Sequence, residues 1–368
     1  MKHYFLLYSC ILCAFLSCCK KNPEVIQHSE TLIIYMAADN NLKSNALLNV
    51  YDMVEGIGPD QKVIVFFDKG DKSSYLMEIN KKNGVSIHQQ VVKQYSDMNS
   101  ASSSTLHFIL KEVIKRYPSE QYGLILWSHG TSWFPSSKPQ TKSFGIDKGA
   151  TIEINDLANA LPTKFKYILF DACLMGSVEV ASELQNHTDY LLASPTDILK
   201  TGMPYKEILP ILLNYSQTVK ARLVEVCKTY IAHYKQNKGE LQSATIALYD
   251  LNNIELVQHT MSEIITDYPK VKIGAEGVQR LHKEADCYDL VDAIEKSYGE
   301  DSAIKMIKTL NSFILYTDHT DRFQQSLLLK RFHGISCYIP VDKKTYFPDF
   351  YSALYWSRIT HYNEAIFP

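Results

Sequence analysis

The sequence predicts an α/β protein: a mostly parallel sheet with helices on both faces, followed by a mostly helical C-terminal subdomain. Three observations carry this expectation. Apolar runs at residues 31–36, 62–67, 123–127, 166–170 and 189–194 lack the polar alternation of a half-exposed sheet, which marks strands buried on both faces. Segments of helical period lie between most of them, and alternation of strand with helix builds a parallel sheet. Beyond about Asn214 longer helical segments take over.

In chain order, Met1-Lys2-His3 precedes an apolar stretch over 4–16 and then Ser17-Cys18-Cys19-Lys20-Lys21. The stretch is short for a membrane-spanning helix, which needs about 20 residues. A small residue and a cysteine straight after it resemble a bacterial lipoprotein signal. That implies cleavage and a lipid on Cys18, with Cys19 as a second candidate and an ordinary cleaved signal peptide as the alternative. Residues 1–18 are read as the signal, 19–30 as a polar linker, 31–213 as the α/β domain and 214–368 as the C-terminal subdomain. The expected location is the cell envelope, with the chain a monomer on its lipid anchor.

The strand at 31–36 breaks at Ala37-Ala38-Asp39-Asn40-Asn41, a turn and capping signal, before a helix over 42–55. A second strand covers 62–67, and 74–79 with 85–90 form a hairpin around Lys81-Lys82-Asn83-Gly84. Serines at 96–104 lead into a helix over 105–116 that Pro118 ends. The third strand is 123–127, a helix covers 155–161, the fourth strand is 166–170, and a helix over 175–184 starts directly behind Cys173. After a fifth strand at 189–194 comes a loop over 195–205. Helices at 219–234, 254–268, 288–298 and 302–315 follow, interrupted by strands at 243–251 and 334–339.

A net charge of −2 gives no electrostatic argument for nucleic acid. Cysteines 173, 227, 287 and 337 are widely spaced and contain no Cys-x-x-Cys, so neither a disulfide framework nor a zinc site is indicated. With no His-Glu-x-x-His and no acidic loop of EF-hand type, no obligatory metal and no cofactor are expected.

The candidate chemistry lies at two strand ends. His129 follows 123–127 and Cys173 follows 166–170, and ligands of open parallel sheets bind at the carboxyl ends of strands. A cysteine at a helix start beside an imidazole has a lowered pKa. Cys173 would attack a carbonyl, with the Gly130 and Cys173 amides as oxyanion hole and His129 as the acid that protonates the leaving amine. Ser128 and Ser132 are rival nucleophiles, although no Gly-x-Ser-x-Gly elbow occurs. From the residues alone, a catalytic pair and a structural pair both stay open.

The residues also carry a resemblance. Ile34-Tyr35-Met36-Ala37-Ala38-Asp39-Asn40-Asn41-Leu42, Leu126-Trp127-Ser128-His129-Gly130, Phe170-Asp171-Ala172-Cys173-Leu174-Met175 and Gly334-Ile335-Ser336-Cys337-Tyr338-Ile339-Pro340 are, in order, similar to segments of the clostripain family of cysteine peptidases. The resemblance implies a caspase-like fold, a His129/Cys173 dyad acting on a peptide or protein substrate, and cleavage after Arg or Lys. A basic preference calls for a carboxylate under the specificity pocket. Asp171, two residues from Cys173 on the same strand face, is the first candidate and Asp197 the second; a turn carboxylate is the alternative for Asp171. The family's tryptophan-containing loop is replaced here by Ser194-Pro195-Thr196-Asp197 and Thr201-Gly202-Met203-Pro204-Tyr205. Several relatives are zymogens cut after a basic residue between the histidine and the cysteine, which implies Lys142, with Lys138 and Lys148 as further candidates. A catalytically idle envelope lipoprotein that binds peptide or glycan is the competing reading.

Overall fold

The computed structural model describes residues 29–70, 72–82, 86–134, 143–324, 326–342 and 347–367. Its strands are β1 (Glu30–Ala37), β2 (Lys62–Asp68), β3 (Ser73–Lys82), β4 (Ser86–Ser96), β5 (Gln121–Trp127), β6 (Phe144–Asp147), β7 (Ala150–Ile152), β8 (Phe165–Asp171), β9 (Thr188–Ala193), β10 (Thr245–Asp250), β11 (Cys287–Asp289), β12 (Ile314–His319), β13 (Arg322–Phe323), β14 (Leu327–Leu328) and β15 (Ser336–Tyr338). Its α-helices are α1 (Lys43–Gly56), α2 (Ser103–Arg116), α3 (Ile154–Ala160), α4 (Val178–Leu184), α5 (Tyr205–Leu212), α6 (Val219–Lys235), α7 (Ile254–Asp267), α8 (Leu290–Tyr298), α9 (Glu300–Phe313), α10 (Pro348–Ala353), α11 (Tyr355–Thr360) and α12 (Tyr362–Ile366).

Nine strands form one sheet in the order β12-β10-β9-β8-β5-β1-β2-β3-β4. The centre, β9-β8-β5-β1-β2, is parallel throughout, and the two antiparallel additions lie at its edges. Side chains two apart share a face, so each apolar run feeds two cores. In β1, Ile33, Tyr35 and Ala37 join one core while Leu32, Ile34 and Met36 join the other. In β5, Leu124 and Leu126 oppose Ile125 and Trp127 in the same way. The second core is closed by α1, α5 and α6 through Val50, Met53, Leu209, Leu212, Val226 and Tyr230. The first is closed by α2, α3, α4 and the later helices. Helices on both faces explain why the strands are apolar throughout.

The local sequence sets the helix ends. Ser102 accepts a hydrogen bond from the Thr105 amide at the start of α2, and Ser177 does the same from Val180 at the start of α4. The helix expected from Met175 therefore begins at Val178, because Ser177 is the residue able to cap it. The helix expected over 302–315 ends at Phe313, and the β-branched and aromatic residues after it form edge strand β12. Strands β6 and β7, helix α5 and helices α10 to α12 were not anticipated. Cys18, Cys19, Lys138 and Lys142 lie outside the described residues. No helix among the described residues is long and apolar enough to cross a membrane.

Candidate active site

Because β1, β5, β8 and β9 run parallel as neighbours, the loops that leave their carboxyl ends gather at one end of the sheet. Trp127 at the end of β5 is paired with Asp171 at the end of β8, so His129 and Cys173 each follow by two residues from matched positions. A cleft of about 140 Å³ opens there, lined among others by Trp127, His129, Asp171, Cys173, Ile198 and Lys200.

His129 is held from both sides. Its carbonyl accepts from the Gly145 amide at 3.0 Å, Thr131 N–H donates to the Ser143 carbonyl, and Ser128 N–H donates to the Asp171 carbonyl. Nε2 of the imidazole lies 2.7 Å from Oδ1 of Asn41, from the turn after β1. Sequence reasoning assigned that turn to capping and missed its contact with the histidine. Both rival serines are committed elsewhere: buried Ser128 Oγ donates to the Ala37 carbonyl at 2.7 Å, and buried Ser132 Oγ bonds Ser177 Oγ at 2.8 Å.

Gly130 sits where no side chain fits. A Cβ there would lie 2.6 Å from the Cys173 carbonyl oxygen and 3.0 Å from the Ala172 methyl. The histidine and cysteine loops thus pack backbone to backbone.

Cys173 lies at the rim of the sheet, half-buried and packed against both cores. The residue after it, Leu174, has φ +63°, a conformation that costs a non-glycine residue roughly 1–2 kcal/mol. That kink is pinned by Leu174 N–H donating to the Thr196 carbonyl and Gly176 N–H donating to the Ser194 carbonyl, both 2.9 Å. The loop after β9 also grips the sulfur. Ile198 N–H donates to Sγ at 3.3 Å, and the thiol donates to the Ile198 carbonyl at 3.6 Å.

The electrostatics reverse the lowered pKa expected from sequence. Burial first, and then the Asp197 carboxylate, push the Cys173 thiol well above its ordinary value; the Ile198 amide opposes them and Asp171 adds to the rise. Burial is the largest cause of the reversal, and two further facts add to it. Helix α4 begins five residues beyond the sulfur, outside the range where a helix terminus acts strongly, and two carboxylates face the thiol.

Asp171 forms the buried side of the cleft, 4% exposed. Its Oδ2 accepts from Met203 N–H at 3.0 Å and Tyr205 O–H at 2.9 Å. Burial pushes its carboxyl up to about 6, against the lowering effect of those two donors. Gly202 closes over it: φ is +72°, and a Cβ would lie 2.8 Å from Asp171 Oδ2. Tyr234 O–H donates to the Gly202 carbonyl at 2.6 Å, so tyrosines 205 and 234 build this wall.

Asp197 is placed beside the thiol, and its Oδ2 lies 3.4 Å from His282 Nε2, a residue of the loop before β11. His282 Nδ1 accepts from the Glu284 and Ala285 amides, so Nε2 carries the proton toward Asp197. Lys148 occupies the β6–β7 turn at φ +51°, with its ammonium 2.5 Å from Asp97. Among the described residues, no group of three His, Cys, Asp or Glu side chains is arranged to hold a metal ion.

The profile of the clostripain family of peptidases matches residues 34–366, nearly the whole described chain. The chain belongs to the clostripain family. Clostripain of Hathewaya histolytica is 24% identical over 229 residues, 51% of this chain and 42% of that protein, so the match spans less than half of clostripain. Among solved structures, an inactive zymogen C11 protease from Parabacteroides distasonis superposes with a TM-score of 0.78 at 27% identity. It covers 90% of this chain and 97% of its own. A secreted C11 cysteine protease from Bacteroides thetaiotaomicron, solved with an irreversible peptide inhibitor, gives 0.80 at 24% identity, covering 90% and 99%. At that identity the likeness speaks to the fold, which is the caspase-like one. The clostripain-family segments quoted from the sequence fall on β1 and its turn, the β5 end, the β8 end and β15.

Proposed function

We propose that the protein is a cysteine endopeptidase that works through a thioester acyl-enzyme, with Cys173 as nucleophile and His129 as acid and base. The observation that carries this is the placement of both residues at matched ends of neighbouring parallel strands, lining one cleft. The thiol proton passes to His129 as sulfur attacks the scissile carbonyl, and the Gly130 and Cys173 amides are assigned to the oxyanion. His129 then protonates the leaving amine, and water releases the acyl group. Asp171, buried beside the cleft, is assigned to the Arg or Lys before the scissile bond. Asp197, beside the sulfur and facing His282, has the weaker geometry for that role.

The grip of Ile198 and the raised thiol pKa describe a resting thiol of low reactivity, which we read as latency. The similarity to a protein solved as an inactive zymogen supports the same reading. For self-cleavage we favour Lys142; Lys148, in a tight ion-paired turn, does not offer the extended backbone that a protease requires. An envelope location through a lipid on Cys18, with the chain as a monomer, completes the proposal.

The test is a positional peptide scan on wild type and Cys173→Ala, with a gel to follow self-cleavage. Hydrolysis after Arg or Lys that Cys173→Ala abolishes is expected. Hydrolysis that survives the substitution refutes the assignment.

A further inference from the structure

We propose that Asn41 is a positioning residue for this reaction, fixing both the orientation and the tautomer of His129. The inference rests on the dyad reading above. Asn41 Oδ1 lies 2.7 Å from His129 Nε2, a contact between residues 88 apart in the chain. A carbonyl oxygen only accepts, so the contact places the imidazole proton on Nε2. Nδ1 is then the nitrogen that takes the proton from Cys173 as the C–S bond forms, and that returns it to the amine as the C–N bond breaks. One proton is carried out and back, and no other reactant is needed beyond the hydrolytic water.

The turn is built to present this side chain. Its neighbour Asn40 makes the local bonds, with Oδ1 accepting from Leu42 N–H at 2.9 Å and Nδ2 donating to the carbonyls of Ala37 and Ile146 at 3.0 and 2.9 Å. Lys43 N–H donates to the Asn40 carbonyl, and the Ser128 hydroxyl ties the histidine loop to the same Ala37 carbonyl. Asn41 is therefore relieved of turn building and projects across the strand ends. Its chemistry also fits. A neutral amide orients the ring without the field of a carboxylate, which would favour the imidazolium and weaken its ability to give up the proton.

The experiment uses the full chain carrying Asn41→Ala, Asn41→Asp and Cys173→Ala, with the best peptide from the scan as substrate. Asn41→Ala is expected to lower kcat about 10- to 100-fold, the cost of a misplaced reacting group, while KM stays within about twofold. Asn41→Asp keeps an acceptor oxygen, so it is expected to recover much of kcat, and because its charge favours the imidazolium, to move the acidic limb of the pH profile upward. Imidazole nitrogen NMR in the Cys173→Ala background is expected to show His129 protonated on Nε2, and to lose that preference when Asn41→Ala is added. Wild-type kcat in Asn41→Ala, an unmoved acidic limb in Asn41→Asp, or an unchanged tautomer signal overturns the role of Asn41 and leaves the dyad standing. Hydrolysis that persists in Cys173→Ala brings down the dyad and this inference together. If Asn41→Ala lowers the unfolding midpoint, the Asn41→Asp profile and the tautomer signal decide the matter.

Discussion

Replacing Asp171 by Asn tests the buried carboxylate through two independent properties. The group is 4% exposed and its pKa rises from 3.8 to about 6, principally by burial. Below pH 3.8 the carboxyl is protonated in both folded and unfolded chains. Between 3.8 and about 6 the unfolded chain ionises while the native chain still holds its proton. The stability contributed by that proton is therefore present at low pH and lost as pH rises through about 6. At 1.36 kcal/mol for each pH unit, a difference of about 2 amounts to roughly 3 kcal/mol. Asn keeps an oxygen for Met203 N–H and Tyr205 O–H but never ionises. The variant is expected to gain roughly 3 kcal/mol over wild type at pH 8 relative to its standing at pH 3.5. For a chain of this length that is roughly 3–6 °C in unfolding midpoint. Calorimetry at the two pH values measures it. In the same variant, kcat/KM is expected to fall for Lys and Arg substrates and to hold for an uncharged isostere such as norleucine. A stability difference that ignores pH, or an equal loss on all substrates, refutes the reasoning.

Three further outcomes follow from contacts in the structure. Gly130→Ala forces a methyl to 2.6 Å from the Cys173 carbonyl, and the loops must part; a loss of about 1–3 kcal/mol and at least tenfold in kcat is expected by thermal unfolding and steady-state assay, and unchanged kcat contradicts it. Asp197→Asn removes the larger of the two charges that disfavour the thiolate, so iodoacetamide is expected to label Cys173 severalfold faster near pH 7; an unchanged rate by mass spectrometry would remove Asp197 from the account. Arg222, 2% exposed, closes a bidentate pair with Glu30 at the start of β1, so Arg222→Leu strands a buried carboxylate and is expected to cost about 3–5 kcal/mol in urea unfolding; a loss under about 1 kcal/mol argues against a buried pair.

The sheet centre was legible because burial on both faces writes itself as uninterrupted apolar runs, and residues 31–36, 123–127 and 166–170 lie within β1, β5 and β8. The edges were less legible. β12 follows α9 without a turn, and its intermediate burial gives no clean period, so its residues read as the tail of a helix. At the site, the strand-end rule located His129 and Cys173 because it depends on local sequence alone. The Asn41 contact, the grip of Ile198 and the His282–Asp197 pair join segments 25 to 88 residues apart, and neither spacing nor periodicity encodes such meetings. The thiol pKa was misread for the same reason. A helix start was visible in the sequence, whereas the burial of the sulfur and, after it, the Asp197 carboxylate arrive by tertiary folding.

The hold of Ile198 on the sulfur has a chemical consequence beyond catalysis. Oxidants of the peroxide type attack a thiolate far more readily than a thiol, and the first product, a sulfenic acid, leads on to irreversible acids. A nucleophile stored at low pKa in an open cleft would be the first atom of the protein to age. Here burial and then the Asp197 carboxylate favour the protonated thiol, and the sulfur is bonded on two sides to one backbone residue. As long as Ile198 keeps that hold, the Cys173 sulfur rests in the form that such oxidants attack slowly.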